Sequence, residues 1–368
     1  MLIFGAVKLC MMKKHNYSAG PCILQQSVFE QSAQAILDLD GIGLSLLEIS
    51  HRSKEFVAIM EEARSLSKEL LGLGDDYEAL FLGGGASMQF LMVVYNLMKA
   101  ENGKAAYLDT GTWSNKAIKE AKLFGEIDVV ASSKDANYNY IPTQYNIPEG
   151  ADYFHCTSNN TIFGTSIKQF PETHVPMVCD MSSDIFSRVM DFTKFDLIYA
   201  GAQKNMGPAG ATLVLVKKEI LGKTGRTIPS MLDYDVHLSK DSMFNTPPVF
   251  PIYASMLTLR HLKANGGIAG AEALNQAKAD LLYGEIDRNP MFKGTAEVAS
   301  RSNMNACFLL ENEDLAPKFD EMWQGANING LKGHRSVGGY RASMYNALPL
   351  ESVQVLVDVM KNFEQQFG

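Results

Sequence analysis

Phe195-Asp196-Leu197-Ile198-Tyr199-Ala200-Gly201-Ala202-Gln203-Lys204-Asn205 reads as a short apolar strand that closes in small residues and then delivers one lysine, ahead of the turn-forming Gly207-Pro208-Ala209-Gly210. An unpaired ammonium is costly to bury. Burial also lowers the pKa of a lysine towards the neutral amine that a Schiff-base nucleophile requires. Upstream, Val175-Pro176-Met177-Val178-Cys179-Asp180 is a second apolar run that ends in a charge. A lysine and an aspartate closing two nearby strands suit pyridoxal phosphate (PLP): the lysine holds the aldehyde and the carboxylate pairs with the pyridinium nitrogen. A solvated loop lysine beside a plain turn is the competing reading of this segment alone.

Working outward, apolar runs alternate with helix-like stretches through the first two thirds of the chain. The runs are 77–82, 105–108, 127–130, 151–155, 175–179, 197–199 and 211–216; helical patterns cover 87–98 and 115–124. This alternation predicts an α/β fold, a mostly parallel sheet with helices on both faces. Ligands of such sheets bind beyond the carboxyl ends of the strands, where Asp180 and Lys204 both fall. Near Phe250 the texture changes. A helix is expected over 251–264, stopping at Asn265-Gly266-Gly267. A second is expected over 269–287, then a strand over 305–309, helix over 316–325, a loop rich in Gly, His and Arg, and a final helix over 350–366. This second texture predicts a smaller C-terminal α/β domain, with the N-terminal residues packing against it.

The 368 residues are 46% hydrophobic, enough for a large core or two domains. The net charge of −8 disfavours nucleic acid as a partner. Cys10, Cys22, Cys156, Cys179 and Cys307 form no CxxC and no metal-ligand spacing, which points to a reduced, cytoplasmic protein without a metal site. No apolar run reaches transmembrane length, so no membrane association is expected. The first twelve residues are apolar but lack a basic flank and a clear cleavage site, which argues against a signal peptide; Met11 or Met12 is an alternative start.

Three further groups carry chemistry. Gly83-Gly84-Gly85-Ala86-Ser87 stands between a strand and a helix, where backbone N–H groups and the helix dipole receive an anion; a tight turn is the bland alternative. No GxxxxGK[ST] and no GxGxxG followed by a ribose-binding acid are present. Trp113, in Thr110-Gly111-Thr112-Trp113 after a strand, offers a flat face to a ring, or else a core side chain. His51-Arg52, His334-Arg335 and Arg341 are cationic or titratable groups in an acidic chain. Arginine forks match carboxylate and phosphate, although any one of these residues alone reads equally as solvated loop charge.

Taken together the segments resemble the phosphoserine aminotransferase family, class-V enzymes of PLP fold type I, over residues 15 to 368. The matching stretches are 16–21 (NYSAGP), 48–56 (EISHRSKEF), 199–210, 242–248 (SMFNTPP), 331–335 (LKGHR) and 338–347. The resemblance implies a large PLP-binding domain over 15–262 and a small domain over 263–368. It implies Lys204 as the Schiff-base lysine and Asp180 as the partner of the ring nitrogen. Trp113 would stack on the ring, Ala86, Ser87 and Gln203 would hold the cofactor phosphate, and Thr161 would bond the ring oxygen. Asn245 and Thr246 are similar to residues that reach the cofactor phosphate of the other subunit of a homodimer. His51, Arg52, His334, Arg335 and Arg341 resemble the binders of substrate anions. Some members carry arginine where Ser87 stands and an acid where Asn160 stands.

The implied reaction moves the amino group of L-glutamate to 3-phosphohydroxypyruvate, giving O-phospho-L-serine and 2-oxoglutarate; the phosphohydroxythreonine pair of vitamin B6 synthesis is a possible second couple. A desulfurase on the same fold needs a cysteine nucleophile on a mobile loop, and none of the five cysteines stands in an obvious one. A non-catalytic PLP-binding regulator usually carries a DNA-binding domain, for which the chain has no room.

Overall fold

The computed structural model describes residues 13–368. The alternative start at Met11 or Met12, and Cys10, lie outside them. Seven strands form the main sheet in the order Tyr77–Leu82, Thr212–Lys217, Leu197–Gly201, Met177–Asp180, Phe154–Thr157, Lys104–Asp109, Glu126–Ser132. Only Thr212–Lys217 runs antiparallel to its neighbours; the other pairings are parallel. The segment from Ala202 to Ala211 is too short for a helical crossover, so the chain turns back beside the strand it has just left. That return loop is the one carrying Lys204.

The strands read as near-continuous apolar runs because both faces are covered. In Leu197–Gly201, Ile198 and Ala200 face one core while Leu197 and Tyr199 face the other. Leu213 and Leu215 alternate with Val214 and Val216 in the same way, as the two-residue repeat of a strand demands. Helices Lys54–Leu71 and Val249–Ala264 cover the first face. Helices Gly85–Leu97 and Thr112–Ala121 cover the second. Ser53 caps Lys54–Leu71 by accepting the Phe56 N–H, and Gly72 ends it in the left-handed region, the start and stop signals of a short helix. Val249–Ala264 begins two residues before the expected Pro251, because proline is tolerated in a first helical turn whose N–H groups have no acceptor within the helix.

A separate core gathers around the antiparallel sheet Phe292–Gly294, Asn305–Leu310, Tyr340–Ser343 and helices Gly267–Arg288, Ala316–Gly325 and Leu350–Phe367. Phe292, Phe308, Phe319 and Phe363 meet there, with ring centroids of contacting pairs 5.1–5.8 Å apart. The N-terminal strand His15–Asn16 pairs in parallel with Ile328–Asn329, and the buried Tyr17 hydroxyl donates to the Ser352 carbonyl at 2.6 Å. The chain then crosses to the main sheet, where the Cys22 N–H bonds the Gln203 carbonyl. The N-terminal segment therefore bridges the second core and the Lys204 loop.

Candidate active site

Six of the seven main strands run in one direction and end on one side of the sheet. Asp180 is the last residue of Met177–Asp180, and Lys204 lies three residues beyond Leu197–Gly201. They line a cavity of about 410 Å³ with Ala86, Ser87, Trp113, Thr161, Gln203, His334 and Arg341. Ala19, Gly20, Phe90, Ile162 and Ser182 complete much of its wall. Nine of the fourteen residues singled out from the sequence thus converge on one space.

Five do not line it within one chain: His51, Arg52, Arg335, Asn245 and Thr246. Arg52, Arg335, Asn245 and Thr246 are exposed, and the Asn245 amide merely bonds the Thr246 carbonyl at 3.2 Å. Asn160 lies behind the wall, fully buried, with its carbonyl taking the Thr110 hydroxyl at 3.4 Å and its amide reaching Thr165 Oγ1 at 3.2 Å.

Asp180 is buried, and burial pushes its carboxyl above the usual range, opposed by the Ser182 hydroxyl and the Lys204 charge. The Ser182 N–H at 2.9 Å and hydroxyl at 2.6 Å both donate to Oδ1. Among the described residues no donor reaches Oδ2. Ser182 Oγ in turn accepts the Gly201 N–H at 3.1 Å, which ties the aspartate to the end of the lysine strand. Burial lowers the Lys204 pKa; Asp180 opposes the shift and Arg341 adds to it. The Lys204 amine stands 5.4 Å from the centroid of the Trp113 ring. Gly20, at φ +140°, lets the N-terminal loop cross close over this lysine: a Cβ there would lie 3.3 Å from Lys204 Cγ.

At the far wall, Gly84 and Gly85 adopt φ of +89° and +68° and open helix Gly85–Leu97. A side chain at Gly84 would run into Met88, whereas Gly85 faces open space. The first N–H groups of a helix have no intrahelical acceptor, so this end presents donors and a positive dipole to the cavity. Trp113 Nε1 donates to Thr161 Oγ1 at 3.1 Å, which leaves the threonine hydroxyl hydrogen free to donate elsewhere. Arg341 is anchored through Nη1 to the Thr161 carbonyl at 3.1 Å, and its buried Nε has no protein acceptor. Burial and the neighbouring Arg341, Arg335 and Lys116 charges lower the His334 pKa.

Two contributors escaped the sequence reading. Ser182 was signalled by Asp-x-Ser, the spacing of a side chain that folds back on the carboxylate two residues before it. Lys116 lies one helical turn after Trp113, and its ammonium sits 4.5 Å over the indole; the i, i+3 relation on helix Thr112–Ala121 was the available signal.

The chemistry of these donors fits PLP. An unpaired carboxylate oxygen awaits a cationic N–H, a desolvated amine stands beside it, an indole face borders both, and a helix N-terminus opposes them with room for a phosphate. The family model described as Aminotransferase class-V matches residues 15–356. The chain belongs to the class-V aminotransferases. It is 73% identical over 356 residues to the phosphoserine aminotransferase of Flavobacterium psychrophilum, covering 96% of this chain and all of the relative. It is 58% identical to that of Parabacteroides distasonis, with the same coverage. Among solved structures, the phosphoserine aminotransferase of Bacillus circulans subsp. alkalophilus superposes with a TM-score of 0.94 at 42% identity, covering 97% of this chain and 99% of that one. The PLP-bound phosphoserine aminotransferase of Trichomonas vaginalis gives 0.90 at 36% identity, covering 95% and 100%. This class-V member is a PLP-dependent transaminase.

Proposed function

We propose that the transaminase takes the amino group of L-glutamate to 3-phosphohydroxypyruvate, as a homodimer with shared active sites. The observation that carries this reading is the Lys204–Asp180 pair with His334 and Arg341 on the wall of the same cavity. The names of its relatives support the same substrate class. The proposed units are a large domain over 15–262 and a small one over 263–368, with the cavity between their contributions.

PLP, when bound, supplies the carbonyl that exchanges amino groups and the ring that takes up electron density from the substrate α-carbon. Lys204, held by desolvation towards its neutral form, anchors the cofactor and afterwards carries the proton away from the substrate α-carbon. Asp180 accepts the ring N–H through Oδ2 and stays anionic because that contact offsets its desolvation. The free Thr161 hydroxyl donates to the ring oxygen, and Trp113 covers the ring. The amides of Ala86 and Ser87, the Ser87 hydroxyl and Gln203 receive the cofactor phosphate. Arg341 pairs with the substrate α-carboxylate. His334 and Arg335, with His51 and Arg52, read the substrate phosphate; Lys116 adds charge at this edge. The four-carbon phosphohydroxythreonine pair presents the same anions and is a candidate second couple.

The test is a two-step spectral titration of the purified holoenzyme. Glutamate should shift the visible absorbance, and 3-phosphohydroxypyruvate should restore it with stoichiometric formation of phosphoserine. Restoration equally well by unphosphorylated hydroxypyruvate would overturn the substrate assignment. Borohydride reduction and tryptic mapping should place the pyridoxyl group on Lys204; recovery on another lysine would reassign the anchor.

A further inference from the structure

Lys278 lies in the middle of helix Gly267–Arg288 and is completely buried. No carboxylate lies within ion-pair distance of it among the described residues. Burial lowers its pKa to about 7, and what favours the ammonium is its ring of acceptors: it donates to three backbone carbonyls, those of Met344 at 2.9 Å, Tyr345 at 2.8 Å and Leu348 at 3.1 Å. An ammonium has three N–H donors, and each finds one acceptor on a single turn. An apolar residue could fill this space without burying a charge; what the ammonium adds is direction. One helical turn earlier, Asn275 donates to Asn346 Oδ1 at 2.8 Å and to the Ser187 carbonyl at 3.0 Å. The helix therefore fixes both the backbone and a side chain of the turn 344–348.

Two bonds lead from that turn to the cavity. The Asn346 N–H donates to Asn205 Oδ1 at 2.9 Å, on the residue next to Lys204. The Tyr345 hydroxyl donates to the Ala19 carbonyl at 2.8 Å, beside the Gly20 that lies against the Lys204 stem. The lysine is thus held from its own loop and from the loop crossing over it, and both holds start at the turn that Lys278 clamps.

We propose that Lys278 is a positioning residue for the Lys204 amine, acting through the turn 344–348. This rests on the reading that Lys204 anchors the cofactor and carries the proton. The test uses full-length holoenzyme as wild type, Lys278→Met and Tyr345→Phe. Methionine keeps an unbranched chain of similar length without the donors. In Lys278→Met, hydrogen–deuterium exchange should accelerate at least about tenfold in peptides covering 17–22 and 203–207 as well as 341–348. Helix Lys54–Leu71 should keep wild-type protection. The kcat should fall roughly 10- to 100-fold from misplacement of the reacting amine, with the glutamate KM within about threefold. Tyr345→Phe removes the link to Ala19 and the longer bond, 3.4 Å, that the hydroxyl accepts from the Asn305 amide, but leaves the Lys278 clamp in place. It should lower kcat several-fold, with faster exchange at 17–22 and wild-type exchange in helix Lys54–Leu71.

Faster exchange confined to 341–348 with wild-type kcat would make Lys278 purely structural and overturn the proposal. If Lys278→Met does not fold, Tyr345→Phe with wild-type kcat and wild-type exchange at 17–22 would do the same. A wild-type enzyme with no borohydride-trapped pyridoxyl group on Lys204 would defeat the functional reading instead, a result the exchange pattern does not share.

Discussion

Both donors from Ser182 take the same oxygen of Asp180, which leaves Oδ2 open to the ring N–H proposed for it. Asp180→Asn keeps the shape and the Ser182 contacts but replaces the anionic acceptor with an amide. The variant should fold and retain PLP while losing a charge-assisted bond of about 1.5–3 kcal/mol, equivalent to roughly a 10- to 150-fold lower rate constant. Single-turnover kinetics with glutamate would check this; near-wild-type turnover would remove Asp180 from the role. Asp180 and Lys204 could be placed beside one cavity from the sequence because two apolar runs each close in a charge; Lys204 alone reads equally as a solvated loop lysine, and its neighbours separated the two readings. Ser182 and Lys116 were not, because their contributions depend on where a side chain points after a turn or along a helix face. The direct contacts of Arg341 with the Thr161 carbonyl likewise need the second core to be docked on the first, which no local pattern encodes.

At the scale of elements, the strand Leu197–Gly201 sends Tyr199 to the opposite face from Ala200, and Tyr199 meets the imidazole of His155 on Phe154–Thr157, with Nε2 and hydroxyl 2.8 Å apart. His155 is also stacked on Tyr107, ring centroids 4.8 Å apart, in a fully buried site. Burial drops its pKa from the ordinary 6.5 to about 3. The sign follows from proton uptake: below pH 6.5 the unfolded chain binds a proton on this histidine, and the folded chain does not until about pH 3. Stability is therefore lost on acidification across that window, approaching about 1.4 kcal/mol per pH unit from this group. His155→Phe should be less stable than wild type at pH 7, since the Tyr199 hydroxyl loses its partner. The gap should narrow as pH falls from 6.5 towards 4.5, which denaturant titrations at several pH values would measure. A gap that stays constant would mean that His155 is not the buried neutral group. The strands themselves were legible from their apolar runs and helices Gly85–Leu97 and Thr112–Ala121 from their periodicity, whereas Gln26–Leu37 and Lys54–Leu71 were not read from the sequence. The reversed direction of Thr212–Lys217 was less so, because a buried strand carries the same residues whichever way it runs.

On the scale of the whole molecule, four of the five residues missing from the cavity share one location, while Arg335 follows His334 of the cavity wall. Helices Lys54–Leu71 and Val249–Ala264 pack side by side, and their ion pairs join Glu62 to Arg260 and Glu69 to Lys263. Both partners advance along the chain together, so the helices run in the same direction. His51 and Arg52, just before the first helix, therefore stand at the same end as Asn245 and Thr246, just before the second. Leu44, Leu47 and Phe244 are exposed apolar side chains in the segments leading to them, the composition expected of the proposed subunit interface. Pro247 and Pro248 stiffen the second segment, which suits delivery of a fixed polar contact across a boundary. Subunit mixing tests the shared site. One parent carries Lys204→Ala and the other carries Asn245→Ala with Thr246→Ala; each parent should be strongly impaired. If the loop acts in trans, a mixed dimer places both defects in one site and leaves its second site intact. With random co-refolding of equal amounts, about half of the dimers are mixed, so activity should return to roughly a quarter of wild type per total site, by the population arithmetic of independent subunits. If the loop serves its own subunit, each site of the mixed dimer keeps one defect, and the mixture shows no more than the average of the two parents, an outcome that rejects the shared site while leaving the Lys204 assignment intact.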